Sequence, residues 1–306
     1  MPQNLKGLRV ATIPFTKMHG IGNDYIYLDA FADPALADRG DLESLAVAVS
    51  DRHRGVGSDG LIVVSPPSSN GQAQGAEARM RMFNADGSEG QMCGNGIRCV
   101  AKLVVDRKHV NPSDENIRIE TASGVLTVEV HQDQSGETLV TVDMGTPILD
   151  LAAIPVNEAL LQRVDDSDQP LEWLVDGARG VLVSMGNPHM VSFFEDDPGD
   201  DGLNADGPRL ERHRAFPQRV NVHYVHVQST SEATMRTWER GSGRTQACGT
   251  GACAVLVAGV LTDRLDRDAL IHLPGGDLQI RWDAETNHVF MTGPATEIFQ
   301  GEWPVP

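Results

Sequence analysis

Basic residues are in short supply. Against 43 Asp and Glu the chain sets 25 Lys and Arg in 306 residues, a net charge of −18 with histidine neutral. Nucleic acid is therefore not an expected partner, because phosphates attract basic surfaces. A small anion needs only a local positive site and stays open. Long apolar runs are missing too: stretches such as Ala252–Leu261 fall well short of the ~20 residues that span a bilayer. Residues Met1–Pro14 lack the apolar core of about seven residues that a secretory signal requires. Four cysteines are too few for a disulfide framework, so a reduced, cytoplasmic setting is expected. What is present is ordinary globular material. Apolar residues make up 40% and charged residues 22%, enough for a sizeable core in two domains or one large one.

The cysteines cluster as Cys93-Gly-Asn-Gly-Ile-Arg-Cys99 and Cys248-Gly-Thr-Gly-Ala-Cys253. Two plus two cysteines could bind zinc, but structural zinc uses tighter ligand spacing than these glycine-rich intervals provide. No metal is expected. Cys99 and Cys253 lie inside apolar runs and read as buried helix residues. Cys93 and Cys248 each precede Gly-x-Gly, which reads as a tight turn feeding a helix whose first N–H groups are unpaired. A sulfur there feels the positive helix end, which favours thiolate, and the same N–H groups can hold a carboxylate.

The two clusters are spaced by about half the chain (248 − 93 = 155). On that offset Phe83-Asn84 falls opposite Trp238-Glu239, and Gly22-Asn23-Asp24-Tyr25 resembles Gly186-Asn187-Pro188-His189 further upstream. Polar tip, strand, glycine turn, cysteine and helix recur in that order, which predicts a duplication with the active site in a cleft between the halves. Strands are predicted at Gly60–Val64, Met80–Phe83, Val125–Val130, Thr138–Met144, Val181–Met185 and Val220–Val227. Helices are predicted at Asp41–Ser50, Ile97–Asp106, Asn157–Arg163 and Gly251–Asp263. Ser65–Ala78, Asp165–Pro170 and the acidic Asp196–Pro208 read as exposed loops.

Together these residues resemble the diaminopimelate epimerase family. The likeness rests on Lys17-Met-His-Gly-Ile-Gly-Asn-Asp24, Asp51-Arg-His53, Asn84-Ala-Asp-Gly-Ser-Glu89, Cys93-Gly-Asn-Gly96, Gly186-Asn-Pro-His189, Glu239-Arg-Gly241 and Ala247-Cys-Gly249. It spans residue 17 to about 300. The resemblance implies an α+β fold of two similar pseudo-symmetric domains, each an antiparallel barrel-like sheet around a central helix. Their expected limits are 1–145 and 146–290, with 291–306 returning to the first. It implies cofactor-independent interconversion of LL- and meso-diaminopimelate, for lysine and cell-wall synthesis, by a homodimer. Cys93 and Cys248 match the catalytic pair; His189 and Glu239 match positions that tune them. Asn23, Asn84, Asn187, Asn221, Glu239 and Arg240 match side chains that grip substrate, while Gly94-Asn95 and Gly249-Thr250 match helix-start amides for a carboxylate. Some members carry a substrate-contacting Gln where this chain has Gly60, so that position is left out of the site.

The chemistry agrees with the pattern. Inverting an α-carbon removes a weakly acidic proton from one face and delivers another to the opposite face. Two residues on opposing walls suit this better than one, and a thiol near pKa 8.5 needs only a modest depression to act at neutrality. A proline-type racemase is the related alternative, but it carries His after the first Cys-Gly, where this chain has Asn95, and has no use for Arg240 as a second carboxylate clamp. A thiol hydrolase would pair a cysteine with His189 as base, and a binding protein would survive loss of both sulfurs.

Overall fold

The computed structural model describes residues 11–111, 116–164 and 171–305. Its helices are α1 (Leu42–Ser50), α2 (Ser69–Ala73), α3 (Gly94–Asp106), α4 (Gly199–Glu211) and α5 (Gly249–Leu261). The described strands form one hydrogen-bonded sheet, and their order repeats. In the first half Thr12–Gly20 forms a hairpin with Asn23–Asp29, which runs parallel to Gly60–Ser65. Gly60–Ser65 pairs antiparallel with Ala78–Asn84, which runs parallel to Asn116–Thr121. The meander Asn116–Thr121, Gly124–Gln132, Thr138–Asp143 follows. In the second half Ala178–Ser184, Pro188–Phe194, Asn221–Ser229, Glu232–Glu239, Asp268–Leu273, Gly276–Trp282 and Val289–Pro294 pair in the same antiparallel and parallel sequence. α1 and α4 occupy equivalent crossovers, as do α3 and α5. This is an α+β fold of two pseudo-equivalent halves.

The two halves join along their last strands. Thr138–Asp143 pairs antiparallel with Val289–Pro294, and at the centre of that ladder Thr141 and Thr292 share a 2.7 Å hydrogen bond between their hydroxyls. The chain then crosses over in each direction: Ile148 bridges to Ser184, and Thr296–Pro304 pairs with Thr12–Gly20.

Alternating side chains explain the layering. Gly60–Ser65 is buried along its whole length; Ile62 and Val64 face a core shared with α3, while Leu61 and Val63 face a separate core under α1. A strand covered on both faces reads as a continuous apolar run, which is why Gly60–Val64 is legible in sequence. α3 and α5 each pack against the strands of their own half. Arg98, inside α3, is fully buried and reaches across to the carbonyl of Pro294 in the last strand of the second half.

Three expectations need correction. The stretch 196–208 is largely helix: α4 fully buries Leu203 and Leu210, seven residues apart on one face, against Val222 and Tyr224. Asp200 and Asp201 in its first turn favour the helix N-terminus rather than marking a solvated loop. Gly207 lets α4 approach Trp238, whose ring would lie 2.6 Å from any added Cβ. The helix expected at Asn157–Arg163 is a short 3-10 turn, Glu158–Leu160, with no buried side chain, followed by the two-residue strand Gln162–Arg163. Ser65–Ala78 contains α2, capped by the Ser68 hydroxyl on Gly71 N–H. The loop expected at 165–170 lies outside the described residues.

Candidate active site

Each half delivers a sulfur to the start of its central helix. Cys93 is the residue before α3 and Cys248 the residue before α5, both in extended backbone. Cys93 Sγ accepts a hydrogen bond from Gly96 N–H at 3.3 Å, the geometry of a side-chain N-cap. The helix starts converge on Met291: a Cβ at Gly94 would meet its Cε at 2.9 Å, and one at Gly249 its Sδ at 2.8 Å. Glycine at both positions keeps the amide-rich turns close together. Asn95 Oδ1 lies beside Gly249, buried and without a hydrogen-bond partner.

One cavity of about 940 Å³ is lined by both sulfurs together with Asn23, Asn84, Gly94, Asn95, Asn187, Glu239, Arg240, Gly249 and Thr250. Its size is that of a small-molecule site. Two expected residues stand behind this wall. His189 is fully buried and holds Asn187 Oδ1 at 2.9 Å. Asn221 uses both ends of its amide internally, donating to Pro188 O at 3.1 Å and accepting from Arg240 N–H at 2.9 Å, and so supports Arg240 from behind the cavity wall.

Hairpin tips place the asparagines. The turn Ile21–Gly22 has φ of +48° and +84°, the mirror-image turn that suits right-twisted hairpins. A β-branched residue there is strained. It is held because Ile21 is buried against Gly276 of the other half. Asn23 follows directly; Cys93 donates to its Oδ1 at 3.4 Å, and its Nδ2 donates to Asp59 at 2.6 Å. Asp59 is in turn bridged by Arg52 at 2.8 Å.

Three guanidinium groups line the cavity. Arg52 pairs with Asp24 and Asp59, and Arg244 with Asp200. Among the described residues no carboxylate pairs with Arg240, whose Nη1 donates only to Gln218 O at 3.1 Å. It is the cavity cation with its charge still to be answered.

The expected depression of the thiol pKa values does not hold in this cleft. Burial pushes Cys93 up, only partly offset by the N–H groups of Gly96 and Asn95 and by the Tyr25 hydroxyl. Burial pushes Cys248 well up, and the neighbouring Glu239 carboxylate adds to the rise; Gly251 N–H and Thr250 pull the other way. The helix ends act in the expected direction, but desolvation wins. Glu239 is itself raised by burial, and Thr245 donates a hydrogen bond to it. Cys99 and Cys253, fully buried, are pushed up to about 11 and about 12, which marks them as inert.

Sequence reasoning missed Asp59, Tyr25, Met291 and His223. Asp59 precedes Gly60, where attention fell on the missing Gln; a Cβ at Gly60 would lie 2.1 Å from Phe83 O, so no side chain fits there. Tyr25 and Met291 sit in strand patterns that carry no chemical signal of their own.

A model of the family described as diaminopimelate epimerase matches residues 15–149 and 181–298. A diaminopimelate epimerase from Agathobacter rectalis is 46% identical over 297 residues, covering 94% of this chain and 98% of that one. The chain belongs to the diaminopimelate epimerase family. Another family member, from Pelotomaculum thermopropionicum, is 47% identical over 290 residues, covering 95% of this chain and 98% of its own. Among solved structures, a PhzF-family phenazine biosynthesis protein of Bacillus anthracis superposes with a TM-score of 0.64 at 16% identity, over 96% of this chain and 100% of that one. A hydroxyproline epimerase of Agrobacterium vitis gives 0.61 at 13% identity, over 97% and 92%. These two likenesses describe the family's fold.

Proposed function

We propose that the protein epimerises LL-diaminopimelate to meso-diaminopimelate without a cofactor, as an isomerase of lysine and peptidoglycan precursor synthesis. The observation that carries this is the pair of sulfurs, one from each half, capping two helix starts on one cavity. The carboxylate at the reacting carbon takes the amides of Gly94-Asn95 and Gly249-Thr250, where negative charge grows as the α-proton leaves. One sulfur, as thiolate, takes that proton; the other, as thiol, delivers its own to the opposite face. A raised pKa suits the sulfur that delivers its proton, while the sulfur that acts as base draws its thiolate from the helix-start N–H groups that oppose the burial. Arg240 clamps the distal carboxylate as a planar fork. Asn23, Asn84 and Asn187 orient the substrate, Asn221 sets Arg240, and His189 and Glu239 tune Cys248.

Two observations weigh against the alternatives. A proline-type substrate has no second carboxylate for Arg240. A hydrolase needs His189 as base to a sulfur, yet both ring nitrogens are engaged, with His223 and Asn187. The test is isotopic. In deuterated water, early product from the LL isomer should carry deuterium at the inverted carbon while recovered substrate stays largely protiated. Equal early labelling of both isomers rules out the two-base scheme.

The same reading puts the unit boundaries at 1–145 and 146–290 with 291–306 returning to the first; the pairing of Thr296–Pro304 with Thr12–Gly20 supports that return, while Val289–Pro294 still completes the ladder of the second half. It also makes the protein a cytoplasmic homodimer. The exposed Ile298 and Phe299 on that C-terminal strand are a suitable apolar contact, and a monomer in sedimentation at micromolar concentration counts against it. No helix among the described residues is long and apolar enough to cross a membrane.

A further inference from the structure

Behind Cys248 runs a continuous chain of hydrogen bonds. Thr237 Oγ1 lies 3.0 Å from His223 Nδ1, His223 Nε2 lies 2.8 Å from His189 Nδ1, and His189 Nε2 lies 2.9 Å from Asn187 Oδ1. Asn187 Nδ2 donates to Thr250 Oγ1 at 3.3 Å, and Thr250 Oγ1 lies 3.8 Å from Cys248 Sγ. The direction of the first four links follows from one fact: an amide oxygen only accepts. His189 must therefore carry its hydrogen on Nε2. Burial holds both rings neutral, pushing His189 well down and His223 down to about 3. His189 Nδ1 is then an acceptor, so His223 donates from Nε2 and accepts from the Thr237 hydroxyl at Nδ1. The Thr250 hydroxyl, accepting from Asn187, keeps its own hydrogen free to donate to the sulfur once Cys248 is thiolate. All five links then point toward the Cys248 thiolate.

The pseudo-equivalent layer of the first half is built without such a chain. Tyr25 pairs with Gly60 as His189 pairs with Asn221, in equivalent parallel ladders. On that register His223 occupies the place of Ile62, and Thr237, by the offset between the cysteines, that of Met82. Ile62 packs on Gly96 in the first turn of α3, where an added Cβ would meet it at 2.8 Å; His223 packs on Gly251 in the first turn of α5, at 2.4 Å. The first half builds the same layer with a phenol and two apolar side chains. Only the half carrying Cys248 has the two histidines and the threonine.

We propose that His223 and Thr237, neither of which lines the cavity, are positioning residues that lock the His189 tautomer and the Asn187 amide so that the Thr250 hydroxyl donates to Cys248 Sγ. This rests on the reading of Cys248 as a proton-transfer residue. The second thiolate is then stabilised by a directed chain that the first lacks. Other charged groups bearing on this site are Glu239, which opposes the Cys248 thiolate, and Arg240, which acts on His189; neither belongs to the chain.

The test measures the pH midpoint of iodoacetamide reaction at Cys248 in a Cys93→Ala background. His223→Ile and Thr237→Val should each raise it by about one pH unit, a tenfold loss of thiolate at fixed pH. His223→Gln keeps a donor toward His189 and should restore most of the shift. Cys93, measured in a Cys248→Ala background, should not respond to any of them. An unmoved Cys248 midpoint, or equal shifts at both sulfurs, overturns the proposal. If His223→Ile fails to fold, the near-isosteric Thr237→Val decides alone. Alkylation does not depend on turnover, so a protein that shows these shifts without epimerising diaminopimelate would refute the functional reading and leave the chain intact.

Discussion

Cys93→Ser separates the chemistry of the first sulfur from its structural duty. Cys93 Sγ caps α3 through Gly96 N–H and contacts Asn23 Oδ1. A serine hydroxyl can make both contacts and is among the preferred N-cap groups, whereas alanine at such a position costs about 1 kcal/mol. At roughly 2–4 °C per kcal/mol for a chain of this order, Cys93→Ala should melt a few degrees low and Cys93→Ser at or above wild type. Turnover should behave differently. A positioned general base contributes about 10²- to 10⁴-fold, or roughly 2.7 to 5.4 kcal/mol at 1.36 kcal/mol per decade. A hydroxyl is far too weakly acidic to replace a thiolate, so both variants should lose at least a hundredfold. The assay is coupled epimerisation of LL-diaminopimelate on purified protein without added cofactor, run beside a thermal melt. A serine variant keeping a tenth or more of wild-type turnover would refute the base role. Loss of activity that tracked loss of Tm would refute the claim that the sulfur's structural part is small.

Arg240→Lys should raise KM for diaminopimelate about tenfold, near 1.4 kcal/mol, as a point charge replaces a fork, with Tm unchanged because the guanidinium makes no ion pair among the described residues; an unaltered KM removes it as the distal clamp. Iodoacetamide should label Cys93 before Cys248, because Cys93 is partly exposed and Cys248 almost wholly buried with its pKa pushed further up; peptide mass spectrometry finding Cys248 first contradicts this. Acid should destabilise the protein through its buried histidines. The unfolded chain takes up their protons below about pH 6.5, while folded His223 resists until about 3, so this stability is complete above 6.5 and declines as pH falls toward 3. The slope reaches about 1.4 kcal/mol per pH unit for each histidine, and His223→Gln should lose less stability than wild type between pH 7 and 4 in denaturant titrations.

The elements that the sequence reveals are those whose pattern is local. α3 and α5 announce themselves through Cys-Gly-x-Gly and a following apolar run, and Gly60–Ser65 through its unbroken apolar stretch. α4 hides because Leu203 and Leu210 are its only large apolar side chains that are buried, among glycines and aspartates that read as loop. The symmetry could have exposed it, since α1 fills the equivalent crossover. At the site the sulfurs, the asparagine tips and Arg240 are visible as motifs. The sulfurs' raised pKa values are not, because desolvation depends on what closes over them. Asn221 looks like a grip in sequence, and the structure shows its amide bonded to Pro188 and Arg240. His223 gives no signal at all; in a strand, a histidine is only a polar letter until the ring beside it is known.

The hydroxyl pair Thr141–Thr292 sits at the middle of the ladder that joins the halves, where an axis of twofold rotation would pass. A half-length chain could make that same ladder with its own copy, each strand lying beside its twin, and would thereby close into an isologous pair. Such an assembly would set two identical sulfurs across one pocket. It would treat the two faces of a substrate carbon alike, with no means of telling acid from base. Joining the copies in a single chain frees each wall to vary alone. Asn84 has come to stand opposite Glu239, and Ile62 opposite His223. The proposed site is thus a symmetric frame carrying an unequal pair, and what distinguishes one sulfur from the other resides in the residues where the copies no longer agree.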